Sequence, residues 1–303
     1  MSMEPFSVEV EPQGAHGGIA TLILDAPGKP VVVLDHALIS RLEFTIKSLP
    51  AGLRGLVLAS SSDRAFVAGA DLKSIQEMND AQLHDYLRFG SRVFGMLSQL
   101  PFPTAAAING AALGGGLELA MHCDGLIGAP PAMRDGQPGK PYPVGLPEAG
   151  LGICPGWGGT SLFAARIEPA DAIRRTASGS PLTFDDGVKA GLFDAVAADA
   201  SSLRATAKAW VAGRNQGGRS RDGAPLLHAG RTEKAAAVVR AIDSVRSEVS
   251  ASDAGRAVLA AVDAGVTKGW SACLEVEQRE LVRLRSTAHA KELIAAFFAK
   301  SKK

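Results

Sequence analysis

The sequence predicts an α/β fold with substantially parallel strands, followed by an all-helical region. Strand-like and helix-like segments alternate through the first two thirds of the chain. Glycine-rich turns mark the junctions from strand to helix, and from about Ser201 the composition shifts to Ala, Arg, Glu and Leu, with few glycines after Gly230. The expected division is residues 1–200 for the α/β core and 201–303 for the helical region.

The segments Phe6 to Val10, Ile19 to Asp25 and Leu53 to Ser60 are short, apolar or alternating, and bounded by Gly, Pro or Ser, the pattern of strands. Between them Leu38, Leu42, Ile46 and Leu49 recur at helical spacing. After the Ala68-Gly69 turn, Asp71 stands at an N-cap position. Leu83, Tyr86, Leu87, Val93, Phe94, Leu97 and Leu100 mark the amphipathic helix that follows, which Pro101 and Pro103 end. Thr104 to Asn109 reads as a strand, the cluster Gly114-Gly115-Gly116 opens a helix, and Cys123 to Ala129 forms another strand. Near the C-terminus, Leu274, Leu281 and Leu284 place an apolar stripe along Trp270 to Arg285, and Leu293, Ile294, Phe297 and Phe298 make a second. Gly213 to Gly223 reads as a loop or linker, and Lys300, Lys302 and Lys303 as a solvated tail.

With 303 residues, 46% apolar and 21% charged, the chain has enough apolar mass for a large core. Thirty-two basic residues against thirty-one acidic leave a net charge of +1, so no global field attracts nucleic acid or an anionic membrane. Cys123, Cys154 and Cys273 lie far apart, which fits neither a disulfide framework nor a metal site and leads to the expectation of a reducing, cytoplasmic setting. Met1 to Val10 lacks the basic-then-apolar order of a signal peptide. Pro103 to Pro130 carries no Lys or Arg, yet Asn109, Glu118, His122, Asp124 and the glycine cluster argue against a membrane span. The signatures of triad hydrolases, zinc proteases and phosphate-binding loops are missing, and the six histidines show no ligand spacing. His122 reads as a packed core histidine, and Asp124 as a cap or partner at the end of its helix.

Three segments can carry chemistry. Ala65-Phe66-Val67-Ala68-Gly69-Ala70-Asp71-Leu72 turns from strand to helix at small residues, which lets a ligand approach unpaired backbone N–H groups. Alone, it reads as an ordinary tight turn with an Asp cap. In Asn109 to Leu119 a helix starting near Gly115 puts Gly115 and Glu118 on one face, so a carboxylate stands beside free donors. A buried glutamate there suits acid–base work, and alone it suits equally a structural pair with a distant arginine. The third segment, Leu146 to Thr160, carries Glu148 before another glycine-rich helix start; alone, Glu148 reads as an exposed loop residue.

Together and in order, these segments resemble the AG-x-D, NG-x-x-x-GGG-x-EL-x-x-x-CD and PE-x-x-LG-x-x-PG-x-GGT patterns of the enoyl-CoA hydratase/isomerase, or crotonase, family. The resemblance runs from Phe6 to about Ala198. It implies a spiral of β-β-α units, an acyl-CoA thioester as substrate, and no cofactor beyond the coenzyme A that the substrate carries. Ala70 and Gly115 resemble the oxyanion-hole positions, acting through their N–H groups. Ala68, Gly69, Asp71, Leu72 and Gly114 resemble the surrounding substrate and CoA contacts, and Glu118 and Glu148 the two catalytic glutamates. Because both acids are present, the resemblance implies hydration of a 2-enoyl-CoA. Double-bond isomerisation, CoA-ester hydrolysis and non-catalytic acyl-CoA binding are the alternatives.

Gly223 to Leu227 and Leu274 to Phe298 resemble the hydratase half of the multifunctional fatty-acid oxidation protein, in which a dehydrogenase follows. No GxGxxG-bearing unit occurs here, so NAD chemistry is not expected within this chain; the resemblance leaves a separate 3-hydroxyacyl-CoA dehydrogenase as a candidate partner. The resemblance also implies a homo-oligomer, a trimer or dimer of trimers, and a place in fatty-acid β-oxidation. The chain departs from the family at Pro130 to Val144, a longer Pro- and Gly-rich segment, and at Val32, where an asparagine is frequent.

Overall fold

The computed structural model describes residues 4–134, 136–214 and 233–301. Most of the expected linker, the stretch Gly223 to Leu227, and Lys302 and Lys303 lie outside the described residues. Two compact units emerge, each assembled from three stretches of chain. The first comprises Met1–Ala70, Arg92–Val144 and Leu182–Gly223; the second comprises Asp71–Ser91, Gly145–Pro181 and Ala224–Lys303.

The first unit begins with β1 (Ser7–Val10), β2 (Ile19–Leu24), α1 (His36–Lys47), β3 (Gly55–Ser60) and β4 (Ala65–Val67). Next in the chain, α2 (Leu72–Glu77) and α3 (Asp80–Gln99) as far as Ser91 belong to the second unit, and the rest of α3 to the first. The chain then continues through β5 (Thr104–Ile108), β6 (Ala111–Leu113), α4 (Gly115–Met121) and β7 (Gly125–Gly128). A short ribbon of β8 (Met133–Arg134) and β9 (Gln137–Pro138) precedes β10 (Pro143–Gly145). After β11 (Leu182–Thr183) come α7 (Phe184–Lys189), β12 (Ala195–Val196) and α8 (Leu203–Ala212).

The expected α/β class is what forms. A six-stranded sheet runs β1-β2-β3-β5-β7-β12, and a four-stranded one runs β11-β10-β6-β4. Strands β2, β3, β5 and β7 pair parallel in chain order. In each β-β-α unit one strand enters the large sheet and the next enters the small one: β3 then β4, β5 then β6, each followed by a helix. Strand β3 is buried along its whole length, as expected of a parallel strand covered on both faces. Ile19, Val57, Ala105 and Ile127 pack there against Leu203, Ala207 and Val211 of α8. Helix α1 starts at Asp35, whose carboxylate accepts from Leu38 N at 2.8 Å. Its buried Leu38, Ile39, Leu42 and Ile46 contribute roughly 1.5–3 kcal/mol each.

The second unit also holds the 3-10 turn Glu148–Leu151, α5 (Gly159–Ala164), α6 (Pro169–Ser178), α9 (Glu233–Val249), α10 (Asp253–Lys268), α11 (Trp270–Arg285) and α12 (Ala288–Ser301). Among the described residues no helix is long and apolar enough to cross a membrane.

Three details differ from the sequence expectations. The single helix after Asp71 is two, because Met78 is extended and Asn79 starts α3 with a reciprocal cap: Asn79 N donates to Gln82 and Gln82 N to Asn79, both at 2.9 Å. Arg285 fastens the break, donating to Ile75 O, Met78 O and Asp80 Oδ1. Second, the buried face of α11 runs through Cys273, Glu277, Gln278, Leu281 and Leu284, while Leu274 is half-buried. Polar residues occupy that face because each has partners, as Gln278 does in Ser91 Oγ and Gly156 O. Third, α12 buries Ala290 and Ile294 and leaves Phe297 exposed.

Candidate active site

Parallel pairing of β4 with β6 sets Ala65 beside Ala111 and Val67 beside Ala112, so the two chains leave their strands side by side. The continuation of β4 is pinned by Ala68 N donating to Val32 O and Leu34 N donating to Gly69 O, which leads to the isolated bridge between Leu34 and Ala70. Neither bond uses the Ala70 N–H. The continuation of β6 turns at Gly114, whose φ of 53° favours glycine, and α4 begins at Gly115. As the first residue of a helix, Gly115 has no intrahelical acceptor for its N–H. Side chains are excluded where the two segments meet: a Cβ on Gly69 would lie 3.2 Å from Leu113 O, and one on Gly116 would lie 2.3 Å from Val67 O.

The structure thus brings Ala68, Gly69 and Ala70 together with Gly114 and Gly115. Gly69, Gly114 and Gly115 are buried, and Ala68 and Ala70 half-buried. Asp71 caps α2, accepting from Lys73 N, Ser74 N and Ser74 Oγ, and Leu72 is the first residue of that helix. Glu118 follows Gly115 on the first turn of α4 and is 1% exposed. On the same helix His122 is buried, edge-on to Phe94 and accepting from Ser98 Oγ through its carbonyl. Asp124 does pair beyond the helix, accepting from Thr104 N and Oγ1.

Glu148 opens the 3-10 turn, which the left-handed Gly152 closes. The residue as a whole is half-buried, yet its Oε2 is buried and no hydrogen bond reaches it. Burial, with a smaller push from the negative charge of Glu277, raises its carboxyl to about 8. This environment differs from that of an exposed loop glutamate, which the sequence alone suggested.

Sequence reasoning assigned no role to Glu277. Its Oε2 accepts from Gly158 N at 2.6 Å, and its Oε1 from Thr160 N at 2.9 Å and Thr160 Oγ1 at 2.6 Å. The available signal was an acid between Cys273 and Leu281 at four-residue intervals, in the middle of an otherwise buried face. Beside it, burial pushes the Cys273 thiol up, and Ser161 Oγ donates to the sulfur at 3.0 Å.

Parallel β-β-α units with small-residue turns from strand to helix define the α/β architecture. Residues 15–219 match the enoyl-CoA hydratase/isomerase family, and the chain belongs to that family. It is similar to the solved structure of DspI from Pseudomonas aeruginosa, with 27% identity, 70% of this chain and 81% of that one covered, and a TM-score of 0.59. An enoyl-CoA hydratase from Bacillus anthracis is 24% identical over 98% of this chain and 97% of its own, with a TM-score of 0.59. An enoyl-CoA hydratase/isomerase from Xanthobacter autotrophicus Py2 is 17% identical over 99% of both chains, with a TM-score of 0.64. The last two likenesses concern the fold.

Proposed function

We propose that the chain is an enoyl-CoA hydratase, adding water syn across a 2-enoyl-CoA thioester to give a 3-hydroxyacyl-CoA. The observation that carries this reading is Glu148. A hydratase needs a group that delivers a proton to the α-carbon, and a buried carboxyl raised to about 8, with one oxygen free of hydrogen bonds, is suited to deliver it.

In this mechanism the Ala70 and Gly115 N–H groups hold the thioester oxygen, which makes the β-carbon electrophilic and stabilises the enolate-like charge. Ala68, Gly69, Asp71, Leu72 and Gly114 form the surrounding substrate and CoA contacts. Glu118 takes a proton from water as the water oxygen bonds to the β-carbon, and Glu148 gives its proton to the α-carbon. One proton is taken and one given, so the two acids exchange states and are reset through solvent. Loss of one oxyanion donor is worth about 2.7–4 kcal/mol in comparable sites. No cofactor beyond the substrate's coenzyme A takes part.

The finer setting follows the same reading. On this reading the chain resembles the hydratase half of the multifunctional fatty-acid oxidation protein and works as a cytoplasmic homo-oligomer in β-oxidation, with a product suited to a separate 3-hydroxyacyl-CoA dehydrogenase. Crotonyl-CoA and longer 2-enoyl-CoA esters test it: the absorbance of the conjugated thioester is expected to fall on adding the protein. No fall at any chain length, with CoA binding intact, rejects the proposal. Activity that survives Glu148→Gln and is lost in Glu118→Gln points to isomerisation instead.

A further inference from the structure

In the first unit, β3, β5 and β7 pair parallel and end at Ser60, Ile108 and Gly128, so the loops that leave them gather at one edge of the large sheet. In open α/β sheets, ligands bind outside the carboxyl ends of the strands. A pocket of about 480 Å³ lies at this edge, with Arg64, Asn109, Pro131, Ala132, Lys140 and Tyr142 among its lining residues. That volume suits a small metabolite better than a bare ion. The pocket stands apart from the oxyanion hole. Arg64 and Gly110 precede β4 and β6, whereas Ala70 and Gly115 follow them, so the strand pair separates the two places by roughly 10 Å.

Short hydrogen bonds fix its walls. Ser62 Oγ accepts from Arg64 N at 3.2 Å and Ser62 O from Asn109 Nδ2 at 2.6 Å, which ties the loop after β3 to the loop after β5. Gly110 lets these loops meet, since a Cβ there would lie 2.5 Å from Arg64 O. On the facing side, Tyr142 Oη donates to Ala129 O at 2.6 Å, and Gly139 N to Ala132 O at 3.1 Å. Lys140 stands between that fixed glycine and Pro141, which biases its backbone towards extended conformations. This wall is the Pro130 to Val144 segment, where the sequence departs from the family pattern.

The fold thus brings two cations from distant parts of the chain to one pocket. Arg64 and Lys140 are both exposed, and neither has an ion-pair partner among the described residues. Asp63, an acid that also lines the pocket, is already engaged in an interaction of its own. The Tyr142 hydroxyl is spent on Ala129 O, and Pro131 and Ala132 add apolar wall. We propose that this pocket is a second binding site, for a small organic phosphate or carboxylate whose anion meets Arg64 and Lys140 and whose apolar body lies along Pro131 and Ala132. The guanidinium fork can hold two anion oxygens at once, and the lysine adds a point charge. Nothing in this site depends on the hydratase reading.

Calorimetric titration of the full chain tests it at low ionic strength, where exposed charges are least screened. Phenyl phosphate and benzoate are the probes, with inorganic phosphate and benzyl alcohol as controls that keep only the charge or only the ring. At least one probe is expected to bind, about tenfold more tightly than either control. Arg64→Gln combined with Lys140→Gln is expected to weaken that binding by about tenfold or more, with unchanged far-UV circular dichroism. Saturating coenzyme A is expected to leave it intact. No binding of either probe at millimolar concentration overturns the proposal, as does full affinity in the double variant. Inorganic phosphate binding as tightly as the probes reduces the pocket to a bare-anion site and overturns it too. Competition by coenzyme A assigns the pocket to the thioester site and overturns a second one. Because turnover is not the readout, binding as expected in protein that hydrates no enoyl-CoA supports this proposal and counts against the hydratase reading alone.

Discussion

Replacing Glu148 by glutamine removes a titration that the fold opposes. In the unfolded chain this carboxyl loses its proton near 4.5, whereas in the folded protein it holds it to about 8. Between those values the folded state binds the extra proton, so wild-type stability falls as pH rises through the window and levels off above about 8. At 1.36 kcal/mol per unit, the whole window amounts to about 5 kcal/mol. The substituted amide NH2 lacks an acceptor as well, which returns about 1–3 kcal/mol at every pH. Glu148→Gln is therefore expected to be less stable than wild type below about pH 4.5 and more stable by roughly 2–4 kcal/mol above about pH 8. Urea unfolding of both proteins at unit pH intervals measures the difference. A difference that stays flat with pH refutes the reasoning, because the cost of the amide alone does not titrate.

Glu118→Gln is expected to lower hydration about 10²–10⁴-fold with unchanged far-UV circular dichroism, read from crotonyl-CoA turnover. Gly116→Ala sets a methyl 2.3 Å from Val67 O, a backbone atom, and is expected to cost about 1–3 kcal/mol in urea as β4 and α4 separate. Arg285→Leu leaves Ile75 O and Met78 O without their donor, and is expected to cost about 2–4 kcal/mol and to speed hydrogen exchange around Met78.

Features that depend on near neighbours in the chain were legible in the sequence. The alternation of β-like and helix-like periods determined the α/β class, because apolar spacing of two or 3.6 residues must match the face that each element buries. The glycine cluster before Leu117 placed the start of α4 within a residue, since a free N–H and a backbone turn at positive φ are local requirements.

Tertiary structure alone decided what surrounds the acids. A glutamate in a PE-x-x-LG segment carries no local sign that its Oε2 is buried and unpaired, because the groups that cover it come from distant parts of the chain. The break at Met78 became intelligible only with Arg285 in place, a residue 207 positions later that satisfies its carbonyl. Glu277 acquires a role only through Gly158 and Thr160, which the fold brings to it from more than a hundred residues away. Desolvation and hydrogen bonding set a carboxylate's proton affinity, and both are properties of the assembled neighbourhood rather than of the chain order.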